Sequence, residues 1–253
     1  MKVLVDNDAT KGLALPAVII ANVRSGGTFL SHYLSNHPDI FCDRGESLHH
    51  LSIWHTCLTS DRVKLLHCLT HMTGWRVSMC KLVYGQAFQP EVWAYLVRTK
   101  PHVIHLTRRN VVRQAVSALI NRSVRSGQHA QVHPAHTVED VPGIKISLTP
   151  DSILELARGL ATQDRQSTKA LAAFPNVLSL DYASLGGEGT TVARIPTKVG
   201  QTICTFLGVP YHMMSCELKR VNPQPLAEIL VNWADVRPAI QASEFSEFLK
   251  DEV

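Results

Sequence analysis

Four short apolar runs mark the chain: AVIIAN at 17–22, RVSMCKLV at 76–83, HVIHLT at 102–107 and NVLSLD at 176–181. Each is close to continuous rather than alternating, the pattern of strands buried on both faces. Between them, apolar positions three and four apart predict helices over 28–35, 48–71, 90–98, 111–124 and 151–174. Strand alternating with helix predicts an α/β fold: a three-layer sandwich around a central, mostly parallel sheet. In such sheets ligands bind beyond the carboxyl ends of the strands, where the loops begin.

The stretch 126–147, SGQHAQVHPAHTVEDVPGIKIS, has two prolines, two glycines and three histidines but no clear period. A loop of that length inside a domain reads as a lid or a binding loop. The tail from Leu207 reads as short helices broken by prolines. Nothing resembles an interdomain linker, so residues 1–253 are expected to form one domain.

Composition narrows the class only mildly. Hydrophobic residues make up 45% of the 253 residues, and the formal net charge is +4. That excess suits an anionic ligand and is too small to argue for nucleic acid. No apolar run approaches the ~18 residues of a membrane span. Asp6 and Asp8 interrupt the first apolar stretch, so no signal peptide is expected. The six cysteines have no C-x-x-C spacing and read as reduced thiols in a cytoplasmic protein.

Two strand-to-helix turns carry the candidate chemistry. The first, NVRSGGTFL at 22–30, places Arg24, Ser25, Gly26, Gly27 and Thr28 between a strand and a helix start. Free backbone N–H groups at such a turn converge on a phosphate, with Arg24 adding charge and Ser25 and Thr28 adding hydroxyls. The turn lacks the lysine and the spacing of the Walker A pattern, which argues against nucleoside triphosphate hydrolysis. Gly26 and Gly27 serving only a tight turn is an equally good reading. The second turn lies in VIHLTRRNVVRQAVSAL at 103–119, where Arg108, Arg109 and Arg113 crowd a helix amino end. Cations there oppose the macrodipole unless an anion is bound among them. Arg109, Arg113 and Ser117 recur at four-residue spacing and can share a face. A solvated basic helix face explains the same residues.

Taken together, order and spacing resemble the sulfotransferase family that uses 3'-phosphoadenosine 5'-phosphosulfate (PAPS). RSGGTF at 24–29 is similar to its first motif, and Arg109 with Ser117 eight residues later to its second. LSLDYASL at 178–185, ICTFLGVP at 203–210 and KRVNPQPLAEILVNWADV at 219–236 extend the resemblance across roughly residues 17–249. It implies a P-loop-like turn in which Arg24, Ser25, Gly26, Gly27, Thr28 and Phe29 cradle the 5'-phosphosulfate. It further implies that Arg109 and Ser117 hold the 3'-phosphate, that Tyr182 lies near the adenine, and that PAP (3'-phosphoadenosine 5'-phosphate) is the product. Tyr182 as a core residue at a strand end has nearly equal standing. Arg194 and Lys198, candidates for a further 3'-phosphate contact, read better as a solvated loop.

Sulfuryl transfer needs charge stabilisation and a general base. Cytosolic members of the family place a histidine two residues past a strand lysine; here the lysine is Lys81 and the histidine position is Val83. Sugar-active branches use a glutamate after the first helix, which points to Glu46 as base, ahead of His49 and His50. Glu46 as an ordinary acid at a helix start is the bland alternative. Lys81 is expected to assist at the leaving phosphate, slightly ahead of packing its stem along the strand. His129, His133 and His136 are interrupted by Pro134 and lack a completing ligand, so no metal is expected. The expected acceptor is a small molecule, lipid or carbohydrate, with no nucleic-acid partner. A P-loop kinase and a non-catalytic nucleotide-binding protein are the rival readings.

Overall fold

β1 (Leu15–Ala21) shows why its apolar run is continuous. Ala17, Ile19 and Ala21 pack into one apolar cluster, and Val18 and Ile20 into another on the opposite face. Each of these five residues is at most 1% exposed. A strand with two buried faces has no polar side, so alternation disappears. This computed structural model describes residues 13–44, 59–125, 145–186, 194–216, 218 and 224–252.

Five strands form the sheet: β1, β2 (Ile40–Cys42), β3 (Val77–Val83), β4 (His102–Thr107) and β5 (Val177–Asp181). Their order is β2-β3-β1-β4-β5, and every ladder is parallel. In register, Ala21 of β1 lies beside Val83 of β3 and Leu106 of β4, and Thr107 lies beside Asp181. The loops after β1, β3, β4 and β5 therefore emerge along one edge. β1 is central, with the chain passing to β2 and β3 on one side and to β4 and β5 on the other. A crevice at the carboxyl end of such a strand is where α/β sheets take ligands.

Helices cover both faces. α1 (Gly27–Leu34) packs on the β1 face bearing Ala17 and Ile19. α2 (Thr59–Thr70), α3 (Tyr84–Ala87) and α4 (Pro90–Thr99) cover the opposite face. α5 (Val111–Arg125) and α6 (Pro150–Leu171) pack together and build a further apolar cluster with α8 (Leu226–Ile229) and α9 (Trp233–Gln241). α7 (Thr197–Phe206) joins the α1 side through Ile203 and Cys204. Local signals explain several boundaries. Thr149 accepts a hydrogen bond from the Ser152 N–H and Pro150 fills the first helical position of α6. α4 ends at Lys100 in the left-handed region, and Pro101 follows.

The α/β architecture agrees with the hydrophobic pattern, and the sheet is wholly rather than mostly parallel. β2 was not apparent in the pattern, because IFC is too short a run to stand out from its loop. Of the helix expected over 48–71, residues 59–70 are helical and 48–58 lie outside the described residues. Residues 126–144 of the expected lid also lie outside them. The five cysteines within the described residues are free thiols. No helix among those residues is long and apolar enough to cross a membrane.

The two-faced burial of β1 sets its energetic weight. Ile19→Ala should lower unfolding free energy by ~2–5 kcal/mol, the range for deleting a buried aliphatic side chain. Val97→Ala, at a 46% exposed position, should change it by less than ~0.5 kcal/mol. Urea denaturation of both variants measures the contrast.

Candidate functional site

The turn after β1 is organised from within. Asn22, only 4% exposed, accepts the Val23 N–H at its own Oδ1 (2.9 Å), and its carbonyl accepts the Ser25 hydroxyl at 2.7 Å. The Val23 carbonyl accepts Gln114 Nε2 from α5 at 2.6 Å, and the Arg24 carbonyl accepts an Arg108 N–H at 3.3 Å. The Gly26 carbonyl takes the first α1 bond, from the Leu30 N–H at 3.0 Å. With the carbonyls held inward, the backbone presents its N–H side at the helix start. No side chain caps α1, and its first turn holds no acidic residue. Those amides are the orphan donors that an anion satisfies.

Two glycines make this path possible. Gly26 has φ +88°, and a Cβ there would sit 2.5 Å from the Tyr182 ring. At Gly27 a Cβ would lie 3.0 Å from Lys81 Cδ and 3.2 Å from Ala21 Cβ. Arg24 itself has φ +59°, in the left-handed region. A non-glycine residue there costs roughly 1–2 kcal/mol and persists where its surroundings over-determine it. Its surroundings do so here: Arg108 holds its carbonyl, and its Nε donates to Ser117 Oγ at 3.0 Å.

That last bond joins the two turns. Arg24 leads the first and Ser117 lies in the second turn of α5, so the structure brings together members of both motifs. Asn110 accepts the Arg113 N–H at 3.0 Å and so caps α5. Arg109 faces elsewhere. Its backbone N–H donates to Asp181 Oδ2 at 2.8 Å, while its exposed guanidinium pairs with Glu247 at 3.0 Å. Arg113 donates to the Gln224 carbonyl at 3.2 Å. Tyr182, at the start of a 3-10 turn after β5, lies against Gly26 with the Arg108 guanidinium 4.6 Å from its ring centroid.

Ser25 is fully buried with its hydroxyl given to Asn22, so it braces the turn. Phe29 packs against the α1 cluster and lies 6.5 Å from the Tyr33 ring. Arg194 is exposed, as is Lys198. Glu46, His49 and His50 lie outside the described residues, as do His129, His133 and His136. Among the described residues no three metal-binding side chains cluster.

Lys81 reaches the turn from the next strand. It is 3% exposed, and its Nζ donates to Thr28 Oγ1 at 2.8 Å. Burial pushes its pKa down to about 8; Asp43 opposes the shift and Arg24 adds to it. A desolvated ammonium beside a second cation is a site that an incoming anion relieves. Two contributors were not apparent in the sequence, Asn22 and Gln114, and Arg108, expected only as one of the arginines at the helix start, also holds the Arg24 carbonyl. Asn22 carried the clearest signal, a polar side chain closing an otherwise apolar strand.

Lys81 gives stability a defined pH dependence. Folded Lys81 loses its proton near pH 8, whereas the unfolded chain keeps it to about pH 10.5. The cost of burying the ammonium is full below pH 8 and fades as pH rises toward 10.5. Lys81→Met should therefore melt above the wild type at pH 7, with a margin that shrinks between pH 8 and 10.5. Calorimetric scans across that window check it, and a constant margin would contradict the assignment.

No protein-family model matches the chain, and no curated protein matches it. Among solved structures, the sulfotransferase domain from the curacin biosynthetic pathway is similar at a TM-score of 0.49 and 15% sequence identity. That alignment covers 79% of this chain and 76% of the other.

Proposed function

We propose that this chain is a PAPS-dependent sulfotransferase, moving a sulfuryl group to a hydroxyl or amine of a small-molecule, lipid or carbohydrate acceptor. The observation that carries the reading is the 3.0 Å bond from Arg24 to Ser117, across 93 residues of sequence. It puts two basic strand-to-helix turns side by side. A nucleotide phosphorylated on both ends of its ribose needs two adjoining anion sites, and the residue types suit it. Arg24, Thr28, Lys81 and the α1 amides fit the 5' end. Ser117 fits the 3'-phosphate, with Arg109 joining it after leaving Glu247. An exposed ion pair of that kind is worth ~0–1 kcal/mol, so its exchange costs little. Tyr182 offers an aromatic face beside Gly26 for the base.

PAPS, when bound, supplies the activated sulfuryl group. The protein's own work is positioning and charge. Arg24 and the turn amides would meet the negative charge that builds on that group, with donors fixed before transfer. Lys81, with a pKa near 8, can hold or surrender a proton at the leaving phosphate near neutrality. Glu46 is the proposed base for the acceptor's proton, since Val83 stands where a histidine base would be.

A kinase is the second reading, favoured by one observation: Lys81 brings an ammonium to the turn from β3, much as a Walker lysine does from the loop. Magnesium separates the two.

PAP should raise the melting temperature well above the value reached with AMP at equal concentration, by mass action on the native state. Ser117→Ala and Arg109→Ala should each narrow that gap. Equal shifts from PAP and AMP in the wild type would overturn the 3'-phosphate site.

Transfer of label from PAPS to a panel of acceptors should survive EDTA. Loss of activity restored by magnesium would favour the kinase. In the same assay Glu46→Gln should lower turnover by about 10²–10⁴-fold, the usual contribution of a positioned base, with PAP affinity nearly unchanged. Wild-type turnover in Glu46→Gln would make Glu46 structural.

A further inference from the structure

α6 turns a regular stripe toward the core: Ala157, Leu160, Asp164, Ser167 and Leu171, spaced three and four apart. The other four are buried, and Asp164 meets Asn22 at the start of the turn after β1. An acid in a core stripe is costly unless donors meet it. Here they do. Asn22 Nδ2 donates to Asp164 Oδ1 at 3.2 Å, and the Tyr84 hydroxyl also bonds the carboxylate. Burial raises the Asp164 pKa, and these two donors pull it partly back.

The network continues to β4. Tyr84 Oη lies 2.8 Å from His105 Nε2, and Ser167 bonds the same hydroxyl. His105 is 2% exposed, and burial pushes its pKa down to about 4, so at neutral pH the imidazole carries one N–H. The phenol has a single proton. If it went to His105, the Tyr84 oxygen would face the carboxylate with no hydrogen between them. These contacts each pair a donor with an acceptor when His105 Nε2–H donates to Tyr84, Tyr84 O–H to Asp164, and Asn22 N–H₂ to Asp164. That order fixes the Asn22 amide, leaving its Oδ1 for the Val23 N–H.

We propose that Asp164 is a positioning residue of the phosphate turn: by orienting the Asn22 amide it holds the Val23–Gly27 backbone in the form that presents its N–H groups to an anion. Asp164 need not touch the nucleotide. The proposal rests on the functional reading only for the ligand's identity. Its geometric content concerns the turn alone.

Two variants separate positioning from general support. Alanine is the best helix former and leaves α6 intact, but cannot reach Asn22. Asparagine keeps the reach: its oxygen can accept from Asn22 while its amide donates to Tyr84, whose proton then passes to His105. In Asp164→Ala, amide hydrogen exchange at residues 22–27 should accelerate by about tenfold or more, the scale of one charged hydrogen bond. Protection of 17–20 in β1 should stay as in the wild type. PAP affinity should fall by a similar factor. Asp164→Asn should restore both to within about threefold. Unchanged exchange at 22–27 in Asp164→Ala overturns the proposal. So does acceleration throughout β1, or failure of Asp164→Ala to fold, since either makes Asp164 a general structural residue. If the wild type does not bind PAP, the sulfotransferase reading fails, and exchange at 22–27 decides the role of Asp164 by itself.

Discussion

The carbonyl groups of one turn constrain much of this molecule. A backbone that is to offer several N–H groups to an anion must turn its carbonyls the other way, into the protein, where each needs a donor. In residues 22–26 the donors come from the Ser25 hydroxyl, the Gln114 amide of α5, the Arg108 guanidinium and the Leu30 N–H of α1. Two of these donors come from a distant segment, residues 108–114, which lies behind the turn. Arg24 and Gly26 both have positive φ values within this turn.

Convergence behind the turn decides what stands in front of it. Gln114 and Arg108 reach the turn because β4 lies beside β1 in the sheet. That neighbour relation carries α5 with it and delivers Ser117 to Arg24. β3, on the other side, delivers Lys81 to Thr28. The strand order β3-β1-β4 therefore places cations from three strands at one carboxyl-terminal edge. Their mutual repulsion is tolerated because each has a hydrogen-bond acceptor, and because Lys81 sheds its proton readily. An anion at this edge would relieve the repulsion, and that is the electrostatic basis of the proposed nucleotide site.

Much of the fold was legible before any coordinates. β1, β3, β4 and β5 are continuous apolar runs, and such runs occur where both faces are covered. The turn at 24–28 was legible because paired glycines between a strand and a helix narrow its conformations. The helix over 150–171 was legible from its period, yet Asp164 within its core stripe passed unremarked. A single acid on an apolar stripe has meaning only when its partners are known, and Asn22, Tyr84 and His105 are distant in sequence.

By itself, then, the sequence determined the elements and the residue types at the strand ends: burial dictates periodicity, and periodicity is local. It made Arg24 and Arg109 candidates as basic residues at strand-to-helix turns and Ser117 one by its spacing from Arg109, while Lys81 came from the family resemblance. Only the tertiary structure decided which of them meet. Ser117 joins Arg24, whereas Arg109 turns to Glu247, because side-chain direction depends on what packs opposite each helix. The inward braces Asn22, Gln114 and Arg108 were likewise decided in three dimensions. The bonds from Gln114 and Arg108 to the turn's carbonyls are set by strand order and register, and no stretch of the chain short enough to read as a motif contains both partners.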